Sequence, residues 1–371
     1  MNPPALVLTL NVGSSSLKFA AYPLGEETKA TASGTIEGVA DRSTWLDRTL
    51  EQSGCGVDGK GLAAVGHRIV HGGPKFFRPC RVDAGVIRDL HSLVAFAPEH
   101  LPNEIALIEA VAKRFPKVPQ VLCFDTAFHH DLPQVARLVP IPRRFEAEGI
   151  RRYGFHGLSY EFLRDELRRV EDPAIRQGRV ILAHLGNGAS LAALMDGACV
   201  DTTMGFTPAG GLVMGSRSGD LDPGVVTYLA EKEKWGPQRL SHLLNHESGL
   251  KGISETTSDM KELGEMELTD SRAAEAIAIF IRQAQKAIGG FTAILGGLDT
   301  LVFAGGIGEH DASIRSRICA AFRFIGLELD EAQNTRHQAV ISGGASRVTV
   351  RVIKTDEEIV IARAVRTLLG H

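Results

Sequence analysis

Short apolar runs alternate with amphipathic stretches along the whole chain, which is the pattern of an α/β protein. Residues 6–10 read as a buried strand. A turn of Asn11, Gly13 and three serines follows, and then Leu17, Phe19 and Ala21 alternate with Lys18, Ala20 and Tyr22 as a second strand. Apolar runs at 62–70, 118–124, 301–304 and 348–353 predict further strands. Asp83 caps a predicted helix whose Val86, Ile87, Leu90, Leu93 and Val94 share a face. Asn103 is read as the cap of the next (Ile105, Leu107, Ile108, Val111), and Ser159 as the cap of one carrying Phe162, Leu163, Leu167 and Val170. Asp222-Pro223 opens another, since proline suits a first helical turn. Residues 271–288 predict a long helix with Ala274, Ile277, Ala278, Ile281, Ala284 and Ile288 on one face. The polar, glycine-rich stretch 26–60 predicts edge strands and loops, 143–152 a connector, and a last helix starts at Glu357.

The stretch 180–194, VILAHLGNGASLAAL, repeats the strand–turn–strand layout of residues 6–22 about half a chain later. Identity between the two is slight, so the expectation is an ancient duplication, not a repeat array. A Gly/Ser turn turns several backbone N–H groups toward one point and suits phosphate oxygens. The spacing is not that of a Walker loop, and the first turn leads into a strand. Taken alone it is an ordinary hairpin turn. Three strand-to-glycine junctions, at 11–16, 185–188 and 305–308, favour two phosphate loops and an adenosine loop instead. That layout resembles the actin, hexokinase and heat-shock ATPase superfamily (the ribonuclease H-like fold), in which two duplicated lobes clamp a nucleotide in a cleft.

The 371 residues suffice for two domains with filled cores. A net charge of −3 argues against a nucleic-acid surface or a polybasic membrane contact. Five cysteines without C-x-x-C spacing suggest reduced thiols, a cytoplasmic location and no zinc site. The start, Met1-Asn2-Pro3-Pro4, has no basic or apolar region, so no signal peptide is expected. No apolar run approaches the roughly 18 residues a membrane span needs.

The blocks NVGSSSLKF, GHRIVHGG, FDTAFH, RRYGFHG, HLGNGAS, DTTMGFTP, MGSRSGDLDPG, GGIGE and TDEE, in this order, resemble those of the acetate kinase family. The resemblance runs from Leu6 to about Arg363. It implies a lobe over 1–148, with the helix 358–371 packed back on it, and a nucleotide-binding lobe over 149–357. It implies ATP as co-substrate, Mg²⁺ (or Mn²⁺) held by Asn11 and Glu357, and a homodimer joined through the second lobe. By the same resemblance Ser14, Ser16 and Lys18 lie by the phosphates, Arg68 binds the acyl substrate, and Asp125 is the active-site acid. His156 and Arg217 stabilise the transition state, while Val70, Phe155 and Pro208 line the pocket for the acyl tail. His184, Leu185, Gly186, Asn187 and Gly188 contact ATP. So do Asp259, Met260 and Lys261, and Gly306, Ile307, Gly308, Glu309 and His310.

The residue types suit the chemistry that the resemblance implies, phosphorylation of a short carboxylate, acetate foremost. A carboxylate nucleophile is already ionised near neutral pH, so cations that bring two anions together matter more than a base. Asp125 is therefore better cast as an orienter of an arginine or of the metal shell. A sugar hydroxyl would need an aspartate base, which sets a sugar kinase apart from this reading. A non-catalytic nucleotide-binding regulator of the same fold is the rival of a different class. Each residue also has a plain reading: Arg68 in a surface ion pair, Asp125 capping Thr126, His156 as a buried histidine, Arg217 in solvent. The histidines 67, 71, 129 and 130 lack a carboxylate at ligand spacing. Three departures touch the substrate and the base. Glu99 stands where the family has a pocket-lining leucine, Ala209-Gly210 where it has Leu-Glu, and Lys261 where an arginine faces the adenine. A pocket-facing Glu99 would be costly to desolvate and would favour a polar acyl group over acetate, whereas a Glu99 turned to solvent would leave the choice of acid unchanged. A propionate or other short-chain acyl kinase on the same site is the nearest rival.

Overall fold

The computed structural model describes residues 5–13, 16–25, 29–37, 43–56 and 58–370. These fall into two compact units. One takes in the chain up to His130, Phe155–Phe162 and the stretch from Asp356 onward; the other is Asp131–Gly154 with Leu163–Thr355. The chain is not divided by a single cut at 148: residues 131–148 group with the second unit, and 155–162 with the first.

In the first unit, β1 (Leu6–Val12), β2 (Ser16–Pro23), β3 (Ala32–Glu37), β4 (Leu62–Ile69), β5 (Cys80–Arg81) and β6 (Gln120–Phe124) form one sheet. Its order among the described residues is β3-β2-β1-β4-β6-β5. β1, β2 and β3 make an antiparallel meander, and β4 and then β6 add parallel to β1. The period of two sends Leu6, Leu8, Leu10, Leu17, Phe19 and Ala21 to one face. They pack there with Trp45, Leu46 and Leu50 of the helix Ser43–Ser53 and with Val111 of the helix Leu101–Arg114. Val7, Ala20, Tyr22, Ala64 and Cys123 point the other way, onto Ile359, Ile361 and Val365 of the helix Glu357–Leu369. That helix lies so close to β4 that a Cβ on Gly66 would sit 2.4 Å from Ile361 Cγ2 and 2.8 Å from Val365 Cγ2.

The second unit repeats the plan. β7 (Arg179–Leu185), β8 (Ala189–Met195), β9 (Ala198–Thr202), β10 (Thr300–Ala304) and β11 (Thr349–Val352) lie in the order β11-β10-β7-β8-β9. Again a three-strand antiparallel meander is extended by two parallel strands from its first member. Shared strand order and sense are what a duplication leaves behind once sequence identity has faded.

Several local expectations are corrected. The helix Ser43–Ser53 occupies a stretch read as edge strands and loops, because its few apolar positions are diluted by polar ones. Asn103 and Ser159 sit inside their helices, which begin two residues earlier, at Leu101 (with Pro102 in the first turn) and at Gly157. The long helix runs over Ser271–Leu295, opened by Asp270 accepting from the Arg272 N–H and closed by Gly296 at φ 71°. Its inward face carries Ala273, Ala276 and Phe280, with Ala278 exposed, because the bulky Phe280 is drawn into the core.

Candidate functional site

Because β1, β4 and β6 are parallel neighbours, their C-terminal ends share one edge of the sheet, where ligands of open α/β sheets bind. Leu10 pairs with His67 and Ile69 with Phe124, so Asn11, Arg68 and Asp125 arrive there together. The Arg68 guanidinium donates to Asp125 Oδ2 from Nε at 3.1 Å and from Nη2 at 2.5 Å. Its Nη1 donates to Asn11 Oδ1 at 3.3 Å, and Asn11 Nδ2 donates to Glu357 Oε2 at 3.0 Å. Glu357 reaches the cluster as the first residue of its helix, capped by Asp356 accepting from the Ile359 N–H. Burial works against the Arg68 cation, but the carboxylates of Asp125 and then Glu357 hold its pKa above the usual range. Asp125 is fully buried and Arg68 nearly so.

The Glu357 carboxylate is a hard donor, and its Oε2 accepts from Asn11 Nδ2 at 3.0 Å, which brings the Asn11 amide, with a hard oxygen of its own, beside it. Two such groups suit an ion that keeps most of its shell as water and substrate phosphate, as Mg²⁺ does, and would not cage Ca²⁺. Among the described residues no cluster of three or more His, Cys, Asp or Glu has metal-holding geometry.

The turn carrying Phe155 and His156 presses on the end of β6. A Cβ on Gly157 would fall 2.0 Å from the Asp125 carbonyl oxygen, so a glycine is required there. His156 adopts φ 56° just before it. Val70 and Phe155 are buried, and the His71 ring stands edge-on to Phe155 at 5.5 Å and to Phe96 at 5.3 Å. The other histidines here are structural. Burial pushes His67 down to about 4 while it bonds Gln120 Oε1 at 2.8 Å. His71 Nδ1 accepts from the Gly73 N–H, and His129 bonds the Phe155 carbonyl. Lys18 is exposed opposite Asn11, with half-buried Ser16 at the start of β2; Ser14 lies outside the described residues.

Within the second unit, three of the candidate loops converge. Gly305, at φ 77°, backs onto the Leu185 carbonyl, and a Cβ on Gly186 would lie 3.7 Å from the Gly306 nitrogen. The Gly215 N–H donates to the Asn187 carbonyl at 2.9 Å, and a Cβ on Gly215 would meet the Asn187 and Ser258 side chains. Gly188 closes the first turn by accepting from the Gly186 N–H. His184 is half-buried at the end of β7 and Asn187 is exposed. Arg217 Nη1 donates to the Pro208 carbonyl at 3.1 Å. Glu309, although in the glycine-rich segment, is buried and accepts from the N–H groups of Gly305 and Thr355, so it staples the loop. His310 beside it is largely exposed, and Ile307 half-buried. Asp259 spends its carboxylate capping the helix Met260–Met266, with Met260 buried and Lys261 exposed.

Glu99 is exposed, so the desolvation cost expected of it does not arise. The buried carboxylate is Glu104, five positions on, which the sequence reading passed over. It is 2 % exposed and accepts from the Val70 N–H at 3.1 and 3.3 Å. Burial pushes it up to about 8, against the pull of Arg68. The signal was present: Glu104 lies on the apolar stripe of Leu101, Ile105, Ile108 and Val111.

A family model described as the Acetokinase family matches residues 38–363. An acetate kinase of Nitrobacter hamburgensis is 42% identical across 98% of this chain and 96% of its own length. Among solved structures, Porphyromonas gingivalis acetate kinase aligns at TM-score 0.88 and 33% identity, covering 98% of this chain and 100% of that one. A propionate kinase from Francisella tularensis aligns at TM-score 0.87 and 32% identity, over 97% and 98% of the two chains.

Proposed function

The chain belongs to the acetokinase family, and on that premise we propose that it transfers the γ-phosphoryl group of ATP reversibly to acetate, giving an acyl phosphate. The observation that carries the reading is the Arg68 guanidinium, nearly buried and braced by the fully buried Asp125 at the shared strand edge. An acceptor that is already an anion needs a cation to receive it, and no base to deprotonate it. Asp125 lies under Arg68 and serves as its orienter. Val70, Phe155 and Pro208 take the acyl tail. Arg217 and His156 hold the equatorial oxygens of an in-line transition state, where an arginine can contribute about 10³-fold or more.

The donor nucleotide goes to the glycine turns of the second unit with Asp259, Met260, Lys261 and His310, and its phosphates to Ser14, Ser16 and Lys18. Acetate kinases work with ATP and a divalent metal. We take the metal as Mg²⁺, with Mn²⁺ the alternative, held by Glu357 and Asn11. When bound it offsets charge on the β- and γ-phosphates. Among the described residues no helix is long and apolar enough to cross a membrane. A cytoplasmic homodimer joined through the second unit completes the proposal, and sedimentation of the purified protein tests the dimer.

The deciding assay presents a panel of carboxylates with ATP and Mg²⁺ and traps acyl phosphate with hydroxylamine. Hydroxamate from acetate is the expected result. Its absence with every carboxylate, while nucleotide still binds, would leave the regulator. The fold shared with the Francisella propionate kinase supports propionate as a second reading, decided by the kcat/KM ratio for the two acids.

A further inference from the structure

Glu104 is a buried carboxylate that the reaction above does not use. It projects from the helix Leu101–Arg114, and its oxygens meet the Val70 N–H, two residues beyond Arg68. The charged groups acting on it are Arg68, from β4, and Asp125, beyond β6. Arg68 in turn contacts Asp125 and Asn11 and lies 4.0 Å from Glu357. An incoming substrate anion thus meets a guanidinium already surrounded by acids.

We propose that Glu104 is a positioning residue for the acyl substrate: it pins the Val70 amide beside Arg68 and, when ionised, draws on the guanidinium that receives the substrate carboxylate. The inference rests on the acyl-kinase reading and deepens it. Two consequences of the geometry are separable. The hydrogen bond to Val70 needs only an oxygen acceptor, whether the acid is neutral or charged. The competition for Arg68 needs the negative charge, which burial delays to about pH 8. Below that pH Glu104 keeps its proton and Arg68 is more available to the substrate. Above it a further anion faces the same cation, and the substrate binds less well.

The experiment is the pH dependence of acetate KM, ATP KM and kcat in the native enzyme, Glu104→Gln and Glu104→Ala, with thermal melts as a check on folding. If only the protonated form binds acetate, native KM rises about tenfold from pH 7 to pH 9, with little change in ATP KM. Glu104→Gln keeps an acceptor for Val70 and cannot ionise, so its acetate KM loses that alkaline rise. Glu104→Ala raises acetate KM at pH 7, where native Glu104 is mostly protonated, and the Gln variant restores most of the loss. A Gln profile that superimposes on the native one overturns the charge competition, and an Ala variant with native acetate KM overturns the positioning. Failure of the underlying reading looks different: the native enzyme yields no hydroxamate from any carboxylate at any pH, and the inference falls with it.

Discussion

In Arg68→Ala a substrate anion loses its cation, and the fully buried Asp125 carboxylate loses the guanidinium at 2.5 Å. Acetate KM is expected to rise strongly, and stability to fall by about 3–5 kcal/mol, because an uncompensated buried charge remains. Denaturant titration should show Arg68→Ala with Asp125→Ala recovering part of that loss, while an unchanged acetate KM in the single variant would remove the clamp role. Arg217→Ala is expected to lower kcat by about 10³-fold or more with ATP KM nearly unchanged. A raised ATP KM with kcat intact would reassign it to ground-state binding. Glu104 makes a stability prediction of opposite character. Its carboxyl keeps a proton in the fold up to about pH 8, whereas the unfolded chain gives it up in the ordinary carboxylate range. Its contribution is therefore full at acid pH and drains by about 1.4 kcal/mol per unit as pH rises toward 8. Glu104→Gln should abolish that drain in melts run across this range. Most of the site residues were legible only through resemblance, since a lone Arg or Asp at a strand end has many structural uses. Glu99 drew notice by departing from a pattern. Glu104 escaped it, although a charge on an apolar stripe is visible without any comparison.

At the level of elements, the cluster depends on how closely helices lie against the first sheet. Gly66 is what lets the helix Glu357–Leu369 seat on β4, and Glu357 begins that helix. Gly66→Val should cost about 1–3 kcal/mol by overpacking. It should also raise the metal concentration needed for half-maximal activity, because Glu357 shifts away from Asn11. A lower melting temperature with unchanged metal dependence would separate the seat of the helix from the position of its first residue. Strands were the most legible elements, since runs such as 6–10 and 301–304 are continuous and bounded by turn residues. Helix starts were less so. Asn103 and Ser159 are good caps by type, yet their helices start earlier, at Leu101 with Pro102 in the first turn and at Gly157. Gly157 is dictated by the Asp125 carbonyl pressing against it, a contact made 32 residues away in sequence that no local pattern encodes.

For the molecule as a whole, the proposed chemistry draws on both units: Asn11, Arg68, Asp125, His156 and Glu357 belong to the first, and the glycine turns, Pro208 and Arg217 to the second. Amide hydrogen exchange offers a direct check. ATP with Mg²⁺ should slow exchange at 185–188 and 305–308, and acetate should act mainly on the first unit, around 68–71. Protection of neither glycine turn by nucleotide would count against the assignment. The duplication was legible from one strand–turn–strand echo, but the full strand order was not, because parallel partners are set by packing between distant segments. The helix Glu357–Leu369, seated on strands formed by the beginning of the chain, also orders events during translation. Asn11 and Arg68 leave the ribosome early, yet their partner Glu357 is polymerised nearly three hundred residues after Arg68. A nascent chain can complete the second sheet with residue 352 while the first still lacks the helix that covers one of its faces. Messages cut short near their 3′ end should therefore yield chains in which the glycine-turn unit is protease-resistant and the cluster of Asn11, Arg68 and Asp125 still lacks Glu357.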